Sequence, residues 1–288
     1  MLVIIGYVVV VASVLGGFML HGGKVMALFQ PFELLIIAGA SAGAFVVSNN
    51  TKVLRAVLDA LPSCFKGSKY TKERYLSLMG LLFDILTKIR KEGMMAIEND
   101  VEEPEQSALF QKYPDLMGDH HLIEFMTDYL RIMVSGNMNP HEIEALMDQE
   151  LDTHHQEGHV PAHAVQTMAD GLPAFGIVAA VMGVVNVMGS VGEAPAILGG
   201  KIGAALVGTF VGILLAYGFV GPLASLLGQK LEESTKELQS VKVTLLASLQ
   251  GYAPSLAIEF GRKVLFSTER PSFTELEGHV KQHKQKAA

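Results

Sequence analysis

Charge vanishes from this chain in four long stretches and crowds into the segments between them. Residues 2–20 carry none, residues 32–47 carry only Glu33 near the start, and residues 172–191 and 202–227 are uncharged. A bilayer crossing takes roughly 20 apolar residues, so the pattern predicts four membrane-spanning helices. The last stretch is long enough to tilt or to project beyond the hydrocarbon. The first lacks a basic leader, is too long for a signal-peptide core and has no clear A-x-A site, so it is expected to be retained.

The polar segments are unequal. Residues 21–31 and 192–201 are short hairpins, with Lys24 in one and Glu193 and Lys201 in the other. Residues 51–170 and 228–288 hold nearly all remaining charge, and four spans put both on the same side. Lys52, Arg55, Lys66, Lys69, Lys72 and Arg74 follow the second span, and Lys230, Lys236 and Lys242 follow the fourth. The positive-inside bias places both long segments, and both termini, in the cytoplasm.

Helical periodicity continues outside the spans. Tyr75, Leu78, Met79, Leu82, Phe83, Leu86 and Ile89 form the apolar stripe of an amphipathic helix over residues 70–97. Residues 99–114 are acidic and broken by Pro104 and Pro114, which reads as a surface loop. Residues 122–134 and 140–157 read as two more helices, with Asn139 as cap and Pro140 at the first helical position of the second. Leu231, Leu238, Val241, Leu245 and Leu249 give 228–255 a heptad-like face. No strand alternation of useful length occurs. The fold class is therefore all-α: four transmembrane helices, a large cytoplasmic helical insert and a cytoplasmic C-terminal helix. The division expected is 1–50 and 171–227 as transmembrane hairpins, 51–170 as the insert and 228–288 as the tail.

Composition agrees and narrows the chemistry. Of 288 residues 50% are hydrophobic and 18% charged, below the roughly 25% charge of a soluble domain. The 29 glycines suit close helix approach in lipid, and the absence of Trp leaves interfacial anchoring to tyrosines such as Tyr7 and Tyr217. A net charge of −7 offers no footprint for nucleic acid. The single Cys64 excludes an internal disulfide and a Cys-cluster metal site. His120, His121, His154, His155, His159 and His163 cluster without a fixed ligand spacing, and Pro161 is expected to interrupt the helix between the last two, so no metal is assigned. No phosphate-binding loop is present, so ATP is not the energy source. Nothing points to an enzyme or to a cofactor.

The spans are notable for what they lack. Ion-coupled transporters keep an ionisable residue inside the membrane, and here Glu33 and Asp170 lie only at span ends. Either the protein transports nothing or a partner helix supplies the carboxylate. Gly39–Gly43 and Gly208–Gly212 have small-xxx-small spacing, fitting either generic bundle packing or a dedicated interface. Thr209, Asn186 and Ser190 could line a narrow wet path or simply bond backbone. Pro173 is an ordinary helix-start proline or a mechanical element, and Pro222, after Gly221 in an apolar run, is harder to explain as a start. On the predicted 70–97 helix and its continuation, Arg90 and Glu98 lie about 80° apart, on a solvated face or a docking one.

Two runs resemble the flagellar-motor stator subunits of the MotA family. Asp170-Gly171-Leu172-Pro173-Ala174-Phe175-Gly176-Ile177-Val178-Ala179-Ala180-Val181-Met182-Gly183 is similar to their third span. Val207-Gly208-Thr209-Phe210-Val211-Gly212-Ile213-Leu214-Leu215-Ala216-Tyr217-Gly218, continuing to Pro222, is similar to their fourth, and Arg270-Pro271-Ser272-Phe273 also looks like that family. The resemblance covers essentially the whole chain. It implies a bacterial inner-membrane protein, five copies of which ring two copies of MotB, whose single helices carry the ion-binding aspartate. Ion passage then turns the ring against the rotor protein FliG. By the same resemblance Arg90 and Glu98 face the rotor, Pro173 and Pro222 couple ion flow to movement, and Thr209 lies beside the partner's aspartate. Sodium-using members carry Thr where this chain has Ala180, which implies protons. The related ExbB/TolQ energisers are the alternative, with three spans and a different charge layout. A secondary transporter is disfavoured by the carboxylate-free spans, and a membrane scaffold would need no aspartate-bearing partner.

Overall fold

The computed structural model describes residues 2–136 and 139–286, and among them there is no strand. Twelve α-helices follow one another among these residues: α1 (Leu2–Leu20), α2 (Pro31–Ser48), α3 (Thr51–Ala60), α4 (Lys72–Glu92), α5 (Glu98–Glu102), α6 (Pro114–Met117), α7 (His120–Ser135), α8 (Pro140–Met188), α9 (Pro195–Leu214), α10 (Gly221–Leu249), α11 (Pro254–Val264) and α12 (Phe273–Lys286). A π turn, Leu215–Val220, separates α9 from α10. Four stretches, Leu2–Leu20, Val25–Ser48, Pro140–Met188 and Pro195–Leu249, are long and apolar enough to cross a membrane, as the charge pattern predicts.

Local chemistry sets many of the ends. Asn50 accepts from the Val53 N–H at 3.0 Å to start α3, and Thr71 accepts from the Arg74 N–H at 3.3 Å to start α4. At α8 the Asn139 side chain accepts from the His141 and Glu142 N–H groups, while Glu142 reaches back to the Asn139 N–H at 2.9 Å. This reciprocal box, with Pro140 at the first helical position, is the predicted start.

Two compact units result. The first comprises Met1–Gly67 and Gly158–Lys230, the second Ser68–Glu157 and Leu231–Ala288. The expected bounds at 50, 170 and 227 concern where the chain leaves the bilayer, which this division does not address. In the first unit Val57, Cys64, Ala162, Ala164, Val165, Ala224 and Leu227 form one buried cluster, and Ile37, Leu172, Ala179 and Ala216 another. The second unit has one large core, in which the predicted stripe residues Tyr75, Leu78, Met79, Leu82, Phe83 and Leu86 meet Leu238, Val241 and Leu245 of the heptad-like face.

Three expectations are corrected. The acidic segment 99–114 is not a plain surface loop: it contains α5 and a 3-10 turn, and buries Val101, Phe110 and Tyr113. Its prolines and acids mark the outer side of a folded strap, and periodicity is invisible in helices so short. The 70–97 helix ends early, because Gly93 adopts φ 90° and breaks the chain's direction. Finally, residues 140–188 are one helix of 49 residues with Pro161 and Pro173 inside it. Each internal proline costs roughly 3 kcal/mol. Packing sustains the helix here, since Pro161, Ala162, Ala164 and Val165 are all buried. His159 and His163 therefore share an unbroken helix, and both are exposed.

Candidate functional site

The residues singled out in the sequence fall into two groups, one in each unit. In the first unit, α8 and α9 meet backbone to backbone. A Cβ added at Gly176 would lie 2.8 Å from the Gly208 carbonyl oxygen, and one at Gly212 would lie 2.7 Å from the Leu172 carbonyl oxygen. One at Gly183 would lie 2.7 Å from the Ala205 Cβ. All are closer than real side-chain carbons approach, so glycine is required at each of these positions. The Gly208–Gly212 motif is thus a helix contact within the chain. In the Gly39–Gly43 motif the glycines face open space, with nothing within 4 Å of an added Cβ, while Ser41 between them is buried.

Ala180 and Thr209 both border this contact. The Ala180 nitrogen lies 3.2 Å from a Cβ placed on Gly208, and the Thr209 Cα lies 3.4 Å from one placed on Gly176. Both side chains are half-buried. Ser190, grouped with Thr209 by its polarity, is drawn elsewhere: Lys201 donates to its hydroxyl at 2.6 Å while pairing with Glu193 at 2.9 Å. Asn186 is exposed.

The two prolines sit in different local structures. Pro173 is half-buried inside α8, one residue after Leu172, whose carbonyl abuts Gly212. Pro222 is exposed at the start of α10, immediately after the π turn. There the Gly221 N–H bonds the Ala216 carbonyl, five residues back. π turns of this kind recur at functional sites. The sequence reading did not find this one, although a Gly-Pro pair late in an apolar run was its visible trace. Tyr7, read there as an interfacial anchor, donates its hydroxyl to the Phe219 carbonyl at 2.9 Å. Tyr217 is 69% exposed.

In the second unit, Arg90 lies in the last turn of α4 and Glu98 begins α5, and both are exposed. Because Gly93 divides the helix, their spacing is set by the turn and not by one helix's 80° step. Cross-links hold that turn. Lys88 pairs with Asp100 at 2.7 Å, and Asp100 accepts from the Ser107 hydroxyl at 2.6 Å. Arg131 of α7 donates to the Val101 carbonyl at 3.0 Å and pairs with Asp128 at 2.6 Å. Ile97 and Val101 are buried beneath, so the exposed charges stand on an anchored base.

Deeper in the same unit, Arg74 forks onto Glu237 (2.6 and 3.1 Å) and reaches Asp119 at 2.6 Å, which also holds Lys69. The Glu237 side chain is 3% exposed, and burial pushes its carboxyl up despite the guanidinium beside it. Burial would raise Asp119 too, but the Lys69 hydrogen bond and the two cations bring it below the usual carboxylate range. The histidines contribute a stacked pair, His121 Nε2 to His154 Nδ1 at 2.9 Å. Among the described residues no three His, Cys, Asp or Glu side chains gather as a metal site.

Comparison with known proteins gives the same outline from another direction. Residues 4–93 match the family model described as motility protein A N-terminal, and residues 118–240 match that of the MotA/TolQ/ExbB proton channel family. The chain is 53% identical over 281 residues to motility protein A of Salmonella typhimurium and to that of Escherichia coli, covering 98% of this chain and 95% of each relative. It is 38% identical to the chemotaxis protein LafT of Vibrio parahaemolyticus, over 95% of this chain and 96% of that one. Its fold is that of the C. jejuni MotAB structure (TM-score 0.78, 21% identity, 94% of this chain and 98% of that one). It is equally that of the flagellar MotAB stator complex from Bacillus subtilis (TM-score 0.74, 24% identity, 99% and 98%).

Proposed function

The chain belongs to the MotA/TolQ/ExbB proton channel family, among its motility A proteins, and we propose that it is the ring subunit of a flagellar stator. It is a multi-pass inner-membrane protein of a channel family, and its relatives are named for motility. In this reading it surrounds MotB, passes protons along the path that MotB completes, and converts that flow into torque on FliG. Five copies form the ring, and both termini lie in the cytoplasm by the positive-inside rule.

One observation carries the reading: a member of a proton channel family has no ionisable residue near the centre of any of its four spans. A proton cannot be relayed through such helices alone. The α8–α9 contact instead offers Thr209 and Ala180 beside two touching backbones, a surface against which a partner's aspartate could cycle. Pro173 and Pro222 flank that contact along the chain and carry the movement, while Arg90 and Glu98 present it to the rotor. An envelope energiser of the ExbB/TolQ kind is not favoured, because the 53% identity is to motility A proteins.

The test is swimming speed measured against sodium concentration and against a protonophore, with a partner Asp→Asn control. Proton use predicts speed that is indifferent to sodium and abolished by the protonophore. Loss of motility on sodium removal alone overturns the proton assignment, and motility that survives the partner substitution overturns the shared channel.

A further inference from the structure

The π turn ahead of Pro222 has an arithmetic of hydrogen bonds that its own helix does not close. The Gly221 N–H is committed to the Ala216 carbonyl, five residues back. Pro222 has no N–H to give. A helix beginning at Gly221 takes up four-back pairing with the Ala224 N–H and the Val220 carbonyl. Between these points the carbonyls of Tyr217, Gly218 and Phe219 share one main-chain donor within helical reach, the Leu223 N–H, which five-back pairing gives to Gly218 and four-back pairing to Phe219. In a soluble protein, water would serve the other two. In hydrocarbon there is none, and an unserved carbonyl is strongly disfavoured.

A second span provides a donor. The Tyr7 hydroxyl of α1 reaches the Phe219 carbonyl oxygen at 2.9 Å, and its ring lies 4.9 Å from the Phe219 ring, centroid to centroid. Three residues further along α1, Val10 packs so close to Gly218 that a Cβ there would lie 3.1 Å from its methyl carbon. So α1 touches the π turn at two successive points, one polar and one steric. Tyr7 lies in a stretch with no charge and few other polar groups, so this hydroxyl has a specific use.

We propose that Tyr7 is a positioning residue of the coupling segment: its hydroxyl, donated across from α1 to the Phe219 carbonyl, holds the π turn ahead of Pro222. The consequence is one of register. A π turn inserts one extra residue into the helix, so its collapse to α-helix would rotate everything after Pro222 by about 100° relative to the α8–α9 contact before it. Tyr7 stabilises one of these two registers. Its role in rotation rests on the reading that Pro222 couples ion flow to movement.

The experiment is Tyr7→Phe, which keeps the ring contact and removes only the hydroxyl, in the full chain in cells and as purified full chain in detergent. Motor torque is expected to fall several-fold at unchanged membrane abundance, and the melting midpoint to drop. Pro222→Ala returns an N–H that can pair four back with the Gly218 carbonyl and so leave the Leu223 N–H to Phe219, and in that background Tyr7→Phe should lower the midpoint much less. Wild-type torque in Tyr7→Phe overturns the positioning role, and equal midpoint losses in both backgrounds overturn the hydrogen-bond account. Normal rotation of Pro222→Ala overturns the coupling reading, and the role in rotation with it, while the pair of midpoints still judges the hydrogen bond separately.

Discussion

The two units of this protein build their interiors from opposite materials. In the first, the helix contacts are made by small residues, Ala169, Ala179, Ala205, Ala216 and glycines whose backbones touch, with a few larger ones such as Ile37, Leu172 and Leu227 buried beside them. Most of its large apolar side chains, among them Leu2, Ile4, Leu35, Val185 and Leu206, point outward. In the second, the buried residues are large: Tyr75, Tyr129, Phe110, Phe125 and a row of leucines. The difference follows from the solvent. Lipid rewards no burial of leucine, so helices associate through close van der Waals contact at small residues. Water rewards burial of apolar area at about 25 cal/mol per Å², so large side chains turn inward. One polypeptide thus follows two rules of what belongs inside.

The sharpest way to break that contrast is to leave a charge stranded in the second unit. Arg74→Met removes the partner of the nearly inaccessible Glu237, and should destabilise that unit by about 3–5 kcal/mol. Hydrogen exchange of α4 and α10 should rise together while the spans remain inserted. Unchanged exchange there would mean that water already reaches Glu237. In the first unit the equivalent injury is an addition. Gly212→Ala places a carbon against the Leu172 carbonyl, a clash of about 1–3 kcal/mol read as a lower melting midpoint in detergent. Gly6→Ala, with nothing within 4 Å, is the control and should not lower it. Equal losses at the two glycines would dissolve the claim that backbone approach holds α8 to α9. Smallest in stability, and largest in function, are the exposed charges. Arg90→Glu and Glu98→Lys should move stability by no more than about 0.5 kcal/mol, yet impair swimming. Wild-type swimming with both reversed would remove them from the rotor-facing role.

Much of the contrast was legible beforehand, and the reason is periodicity. Charge-free stretches and the stripe from Tyr75 to Leu86 are long enough for a pattern to repeat several times, and both appear as expected. Reading failed where elements are short or where packing overrides propensity. The helix α5 has five residues and the 3-10 turn at Phe110–Lys112 three, too few for any repeat, so their segment looked like a loop. Pro161 signals a break, but its buried neighbours hold the helix through it. Of the candidate site, Ala180 and Thr209 were named separately, and only the geometry places them on one contact. Arg90 and Glu98 were named as a pair, but the Gly93 turn that sets their spacing came from the structure.

Sequence alone determined the solvent of each segment, because transfer between water and lipid depends on local composition and not on neighbours. It also determined that the spans hold no ionisable centre, which is a fact about residue types. Tertiary structure decided which carbonyls, glycines and hydroxyls meet. Gly176 against Gly208, and Tyr7 on Phe219 from 212 residues away, depend on separations set to within a few tenths of an ångström between segments remote in the chain. No local pattern encodes those distances. They are set when backbones pack as closely as their smallest residues permit, and the π turn at Leu215–Val220 is the register which that packing left behind.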